Sequence, residues 1–271
     1  MASRALTISP SQLKKFKLCP RKWAFQIFGE RVHEPPYGPA LVGDRVHHWL
    51  EAWLESGTPP DLDEKVEYES RGRPVVRYPG RIAEAGIPHV PAPATPGMEI
   101  ETDALFRAPA TVYKGRVDLR YRDGRVTVVH DHKSTGNLNY ALSDQPGSRN
   151  TWDEPNYLGD DEQGLVYAAD AFVRGAEAVR LDWLYLETKP TTSGQHRTRK
   201  VSLPVLREDV SRGMLRLEER SERMQGLYRL EPDILDVPGN PHACGKFGGC
   251  EHREVCNIDP LEALMTDPNV D

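Results

Sequence analysis

Two runs that alternate apolar and polar residues, Thr111 to Tyr121 and Arg125 to Asp131, flank Asp123-Gly124. Alternation with a period of two places successive side chains on opposite faces of a strand, and Asp-Gly supplies the turn conformation of a tight connection. The pair therefore predicts a β-hairpin.

Helical signals lie on either side of it. Ser9-Pro10-Ser11-Gln12 combines a serine N-cap, proline at the first helical position and glutamine at the third, a capping-box start that predicts a helix with Leu13 and Phe16 inward. Pro20, directly after Cys19, starts a second helix with Trp23, Ile27 and Phe28 inward, so Cys19 sits at a helix junction. Val46, Leu50 and Leu54 recur every four residues between Leu41 and Leu54, which predicts an amphipathic helix with His47 flanking its buried stripe. A further helix is expected from Asp161 to Arg174, then a strand from Val179 to Glu187 and a long helix carrying Leu206, Val210, Met214, Leu217, Met224 and Leu227 inward. Residues 57–98 hold a dense set of prolines from Pro59 to Pro96 and read as an irregular surface excursion; Ser134 to Asp160 reads as a loop beside the sheet. No internal repeat is present.

Composition narrows the class. The 271 residues are 38% hydrophobic and 28% charged, with mean hydropathy -0.61, the balance of a globular chain. No apolar run approaches the roughly 18 residues of a membrane span, and the N-terminus lacks the apolar core of an export signal, so a cytoplasmic location is the expectation. A net charge of -6 argues against a broad basic surface but leaves room for a local basic groove. Of the four cysteines, Cys19 stands alone while Cys244, Cys250 and Cys256 crowd the C-terminal region. Without an export signal, metal or cluster ligation is favoured over two disulfides.

The chemistry concentrates in Gly115-Arg116-Val117-Asp118 and Asp131-His132-Lys133-Ser134-Thr135. Asp131 and Lys133, two apart on one strand, project together, and Asp118 can face them from the neighbouring strand. Carboxylates held that close repel each other unless a cation lies between them, which suits a hard divalent ion, Mg²⁺ or Mn²⁺. Lys133 would then reach a phosphate oxygen or an attacking water. Taken alone, an ordinary cross-strand ion pair explains the same residues.

Further motifs go with them in order. Gly43-Asp44-Arg45-Val46-His47, followed by Leu50-Glu51, precedes the hairpin, and Gln163-Gly164-Leu165-Val166-Tyr167-Ala168 follows it. With the two hairpin motifs, these resemble the PD-(D/E)XK nucleases, specifically the RecB-type branch that includes CRISPR-associated adaptation nucleases and many phage exonucleases. The resemblance implies an α/β restriction-endonuclease-like core, a central mixed sheet flanked by helices. It implies a catalytic metal held by His47, Asp118, Asp131 and the main-chain carbonyl of His132, with Lys133 acting on the nucleophilic water. Gln163 and Tyr167, four apart on one helical face, correspond to the branch's QxxxY helix and join Asp118, Asp131 and Lys133 as catalytic candidates. His48 competes with His47, about 100° away around the helix.

Leu18-Cys19-Pro20-Arg21 and the three late cysteines resemble the set that holds a [4Fe-4S] cluster in the iron-sulfur members. Their spacing, Cys244-x5-Cys250-x5-Cys256, departs from the C-x2-C pair followed by C-x5-C of many relatives, and structural Zn²⁺ with His242 and His252 nearby stays open. Gly245, Gly248 and Gly249 give that loop freedom to fold around one centre. Either centre would join the two chain ends and make residues 1–271 one nuclease domain, with N-terminal helices at 9–56, a catalytic core at 99–230 and a cysteine segment at 240–258. Lys14, Lys15, Lys17, Arg21, Lys22, Lys246 and Arg253 would add a basic patch for the DNA backbone. The implied function is metal-dependent DNA hydrolysis, most of all exonucleolytic. It would act on single-stranded DNA or single-stranded ends, in recombination, repair or CRISPR-like processing, in a bacterial or phage-infected cell. A non-cleaving DNA-binding scaffold that partners a helicase or integrase is the alternative.

Overall fold

The structure is a computed structural model and describes residues 6–29, 38–70, 72–109, 111–138, 161–244 and 250–256. Most of the expected loop from Ser134 to Asp160, and Gly245, Lys246, Gly248 and Gly249, lie outside them. The chain divides into two compact units, Met1–His33 with Phe106–Lys114 and Leu215–Asp271, and Glu34–Leu105 with Gly115–Met214.

The first unit begins with a short strand β1 (Thr7–Ile8), then α1 (Pro10–Leu18) and α2 (Pro20–Phe28). The capping box forms: Gln12 N–H donates to Ser9 Oγ at 3.3 Å, and Ser9 N–H donates to Gln12 Oε1 at 2.9 Å. Cys19 ends one helix and caps the next in extended backbone, as its place before Pro20 requires. Leu13, Phe16, Trp23 and Ala24 are buried, whereas Ile27 and Phe28, expected inward, are half-buried. The long helix α6 (Arg207–Leu230) brings Leu217, Ser221 and Met224 into this core, where Ser221 Oγ lies 2.9 Å from the Tyr113 hydroxyl. The sequence expectation is corrected at Leu206, which precedes the helix and is 64% exposed.

The second unit holds the central mixed sheet. The hairpin strands β5 (Val112–Asp123) and β6 (Val126–Thr135) pair antiparallel, with Gly124 at φ 61° in the turn. Next to β6 runs a parallel β7 (Ala178–Glu187), then an antiparallel β8 (Thr198–Val205), while β4 (Glu99–Arg107) pairs with β5. The parallel neighbours require a crossover, supplied by α5 (Glu162–Val173). α3 (Gly38–Ser56) and α4 (Pro79–Gly86) cover a face of β7: Val42, Val46 and Leu50 pack with Ile82, Ala83, Leu184 and Leu186, all fully or nearly fully buried. A central mixed sheet flanked by helices is thus the architecture.

Residues 57–98 are not irregular. They contain a separate antiparallel hairpin, β2 (Val66–Ser70) with β3 (Arg73–Arg77), followed by α4. The prolines misled because they sit where the backbone tolerates them: Pro79 opens α4, and Pro74 lies in a two-stranded ribbon. β1, β4 and β8 are strands outside the sequence expectations, although β4 sets buried Ala104 and Phe106 between exposed neighbours and β8 alternates Val201, Leu203 and Val205 with exposed Ser202 and Pro204.

Candidate active site

α3 reaches β6 through a glycine. A β-carbon on Gly43 would stand 2.8 Å from Ser134 Oγ, so a larger residue would have to displace that hydroxyl where helix meets strand. One turn on, His47 faces the sheet with its Nδ1 3.6 Å from Asp118 Oδ2. His48 is exposed and lies against Trp49, ring centroids 5.3 Å apart.

Asp118 sits where the hairpin opens. The β5–β6 ladder runs from Asp123↔Val126 to Leu119↔His130; beyond it the Asp118 carboxylate fills the gap, accepting a hydrogen bond from His132 N–H at 2.7 Å. The His132 imidazole turns to the same carboxylate, Nδ1 to Oδ2 3.7 Å, and its ring meets that of His47 edge-on at 5.5 Å. The donor atoms of His47, Asp118 and His132 all lie within 4.8 Å of one another. The resemblance implied the His132 carbonyl as a ligand; the structure brings its imidazole into the donor group. Burial, then the neighbouring His47, lowers the His132 pKa to about 3, so the ring is neutral and keeps a lone pair for a cation.

Asp131 and Lys133 lie on the opposite face of β6, toward α5. Lys133 Nζ is 2.6 Å from Asp131 Oδ2 and donates to Gln163 Oε1 at 2.9 Å. Gln163 Nε2 donates to Asp131 Oδ1 at 2.7 Å and to the Tyr167 hydroxyl at 3.1 Å, and that hydroxyl donates to the Arg116 carbonyl. One amide side chain therefore ties together a carboxylate, an ammonium and a phenol. Asp161 caps α5 by accepting from Gly164 N–H at 3.2 Å, which fixes the turn that bears Gln163.

The charges are strongly coupled. Burial, only partly offset by Lys133 and reinforced by Asp118, holds the Asp131 pKa above the usual carboxylate range. Burial works to lower the Lys133 pKa, but Asp131, with Asp118 and Asp161 behind it, leaves it raised, so the amine is charged. Tyr167 is pushed up by burial and by Asp131 and stays a phenol. His47, Asp118 and the neutral His132 imidazole form a donor set that fits a divalent cation, and the Asp131 carboxylate lies close enough to Asp118 to feel its charge.

Sequence reasoning missed Glu101. It lies on β4, paired with Arg116, and its pKa is raised by burial and then by Asp118. Its backbone has φ 48°, a left-handed conformation uncommon for glutamate and of a kind that clusters at functional sites. No motif spacing marks it.

In the first unit, Cys19, Cys244, Cys250 and Cys256 line one small cavity with Phe25, Asn240 and His252. All four are free thiols. Cys19 Sγ accepts from Lys22 N–H at 3.5 Å and from Asn240 N–H at 3.4 Å. Burial, then the charges of the other three cysteines, raises the Cys244 pKa. Part of the expected basic patch is used internally: Lys22 pairs with Glu251 at 2.6 Å, and Arg21 donates to the carbonyls of Val237 and Cys256.

A hairpin that parts to hold an aspartate, a lysine beside a second acid and a histidine from the preceding helix define a nuclease-like site on a mixed sheet. The chain belongs to the PD-(D/E)XK nuclease superfamily, whose family model matches residues 7–257. Phosphodiester hydrolysis is therefore the general class of its chemistry. Among solved structures, a candidate exonuclease from Eubacterium rectale is 15% identical, with 97% of this chain and 93% of that one covered at a TM-score of 0.60, which shows a shared fold. SSO0001 aligns over 95% of this chain and 89% of its own at 14% identity and a TM-score of 0.39. No curated protein matches the chain. Among the described residues no helix is long and apolar enough to cross a membrane.

Proposed function

We propose that the chain is a metal-dependent DNA exonuclease of the RecB-type branch, acting on single-stranded DNA or single-stranded ends in recombination, repair or CRISPR-like processing in the cytoplasm. The observation that carries this reading is the Gln163 junction, which holds Asp131, Lys133 and Tyr167 in one hydrogen-bonded array beside Asp118. A purely structural ion pair between Asp131 and Lys133 would not need a third polar side chain to orient both partners.

His47, Asp118 and His132 would hold Mg²⁺ or Mn²⁺, while Asp131, which the resemblance adds as a ligand, stands on the other face of β6 against Lys133. Such an ion, when bound, neutralises phosphoryl charge and acidifies an attacking water. Water attacks phosphorus in line, and the bond from phosphorus to the leaving oxygen breaks. Lys133, charged and fixed by Gln163, donates a hydrogen bond to the oxygen on which charge grows. Asp131, against which Lys133 is held, keeps the ammonium from swinging toward solvent. Cleavage of end-labelled DNA in Mn²⁺, abolished by chelator, is the expected result. No cleavage of single-stranded or duplex DNA in either metal would leave only the non-cutting scaffold.

The cysteine cavity supports a [4Fe-4S] centre held by Cys19, Cys244, Cys250 and Cys256. Four free thiols gathered at one cavity are the ligand number that such a cluster requires, and tetrahedral zinc requires the same number. The two N–H donors on Cys19 would stabilise a thiolate ligand. Brown protein absorbing near 400 nm after anaerobic purification is expected; colourless protein with stoichiometric zinc would reject the cluster.

A further inference from the structure

The second unit contains a cavity of about 870 Å³ beside the end of β6. Its wall includes Ser134 and Thr135, which directly follow Lys133, together with Tyr68, Arg73, Arg77 and Lys189. No described carboxylate lines it, although the chain carries 41 acidic residues and a net charge of -6.

The charge separation is built into the β2–β3 hairpin. In an antiparallel pair, directly opposed residues share a face. The register Val66↔Arg77, Tyr68↔Val75 and Ser70↔Arg73 places both arginines and the tyrosine on one face, toward the cavity. Glu67 and Glu69 alternate to the other face and are exposed. Arg77 Nε is buried with no hydrogen-bond partner, and its Nη1 donates only to the neighbouring Val76 carbonyl at 2.9 Å. A guanidinium left unsatisfied on a cavity wall without acids is suited to an anion that binds there.

We propose that this cavity holds the backbone of a single polynucleotide strand as it enters or leaves the catalytic site. Arg73, Arg77 and Lys189 contact successive phosphates, the Ser134 and Thr135 hydroxyls add hydrogen bonds, and the half-buried Tyr68 ring offers a face on which a base stacks. The volume lies within the roughly 300–1,000 Å³ of small-ligand pockets, enough for a few nucleotides of one strand. This inference rests on the nuclease reading above and names the residues that grip its strand.

The test is fluorescence anisotropy with a labelled single-stranded oligonucleotide, a blunt duplex of the same sequence and a mononucleotide competitor, in chelator and over a salt series. The wild-type protein is expected to prefer the single strand, with the mononucleotide competing poorly. The Arg73→Ala/Arg77→Ala/Lys189→Ala variant is expected to bind the strand at least about tenfold more weakly. Its plot of log affinity against log salt should be shallower by about 2, at about 0.7 per lost phosphate contact. Because Arg77 is partly buried, the Arg73→Ala/Lys189→Ala variant of the two exposed residues keeps the test open if the triple variant melts early, with a slope change of about 1.4. Unchanged affinity and slope in a folded variant, or equal wild-type affinity for duplex and strand, overturns the proposal. Cutting is read separately with Mn²⁺. A wild-type protein that grips the strand without cutting removes the nuclease activity and leaves this site, whereas one that cuts while the variants bind unchanged removes this site alone.

Discussion

A β-carbon at Gly115 would stand 2.5 Å from Cε1 of Tyr167, so the glycine of the second motif exists to admit the tyrosine of the helix that crosses over it. That approach lets the Tyr167 hydroxyl donate to the carbonyl of Arg116, one residue along the strand, and accept from Gln163. Motif glycine and helix tyrosine are thus one packing unit separated by some fifty positions in sequence.

Gly115→Ala is accordingly expected to destabilise the fold by about 1–3 kcal/mol, the usual cost of forcing extra volume into a packed site. Tyr167→Ala vacates the space, so adding it to Gly115→Ala should cost less than the sum of the two single changes. Urea unfolding of the four proteins in the cycle measures that coupling. Strict additivity would mean that the ring and the glycine do not constrain each other.

Gln163 distinguishes orientation from bulk. Gln163→Glu keeps the shape but replaces the amide that donates to Asp131 with a like charge, whereas Gln163→Ala removes both contacts. Both should lower kcat with little change in melting temperature, by about 10²-fold, the range seen when a polar group that positions catalytic partners is lost. The glutamate variant should also shift the pH–rate profile toward alkaline pH, since the added charge raises the Asp131 pKa further. A Gln163→Ala enzyme with wild-type kcat would reduce the junction to a structural feature.

Lys133→Ala and Asp118→Ala are expected to lower DNA cleavage by at least about 10³-fold while leaving the circular-dichroism spectrum intact. The fold tolerates the lysine change because Asp131, already raised in pKa by burial, takes up a proton once its ammonium partner is gone. Single-turnover cleavage with enzyme in excess measures the effect on chemistry. Full activity in either purified variant would falsify the assignment of roles.

Much of this arrangement is legible from local pattern because the local pattern causes it. The capping box at Ser9, the Asp-Gly turn and the four-residue stripe of α3 are short-range signals, and the structure contains each of them. The order of motifs places His47, Asp118, Asp131, Lys133, Gln163 and Tyr167 on the elements that carry them. What was not legible depends on long-range pairing. β4 turns buried Ala104 and Phe106 to one face, but what brings Glu101 beside Asp118 is its pairing with β5, which no local signal specifies. The β2–β3 hairpin was hidden by its prolines, and which face its arginines take follows from register. The turn of the His132 ring toward Asp118 depends on where the β5–β6 ladder stops, which spacing alone does not specify.

His130 sets an acid limit on stability. It is fully buried, both ring nitrogens lack partners, and burial followed by His132 holds its pKa well below that of a free imidazole. The unfolded chain therefore binds a proton below about pH 6.5 that the native state refuses, and stability falls as pH drops, by about 1.4 kcal/mol per pH unit for each such group. Asp131 acts in the opposite sense. With its native pKa raised, the folded state holds a proton above the unfolded value near 3.9, and that contribution is lost as pH rises through the native pKa. Comparing His130→Phe with the wild-type protein cancels the Asp131 part, because both proteins carry it. In chelator, the loss of stability between pH 7 and pH 5 should be smaller in His130→Phe by about 2 kcal/mol, the value for one imidazole titrating only when unfolded. The measurement is urea unfolding across the pH series. Parallel curves for the two proteins would mean that His130 is protonated in the native state and that its burial costs nothing in acid.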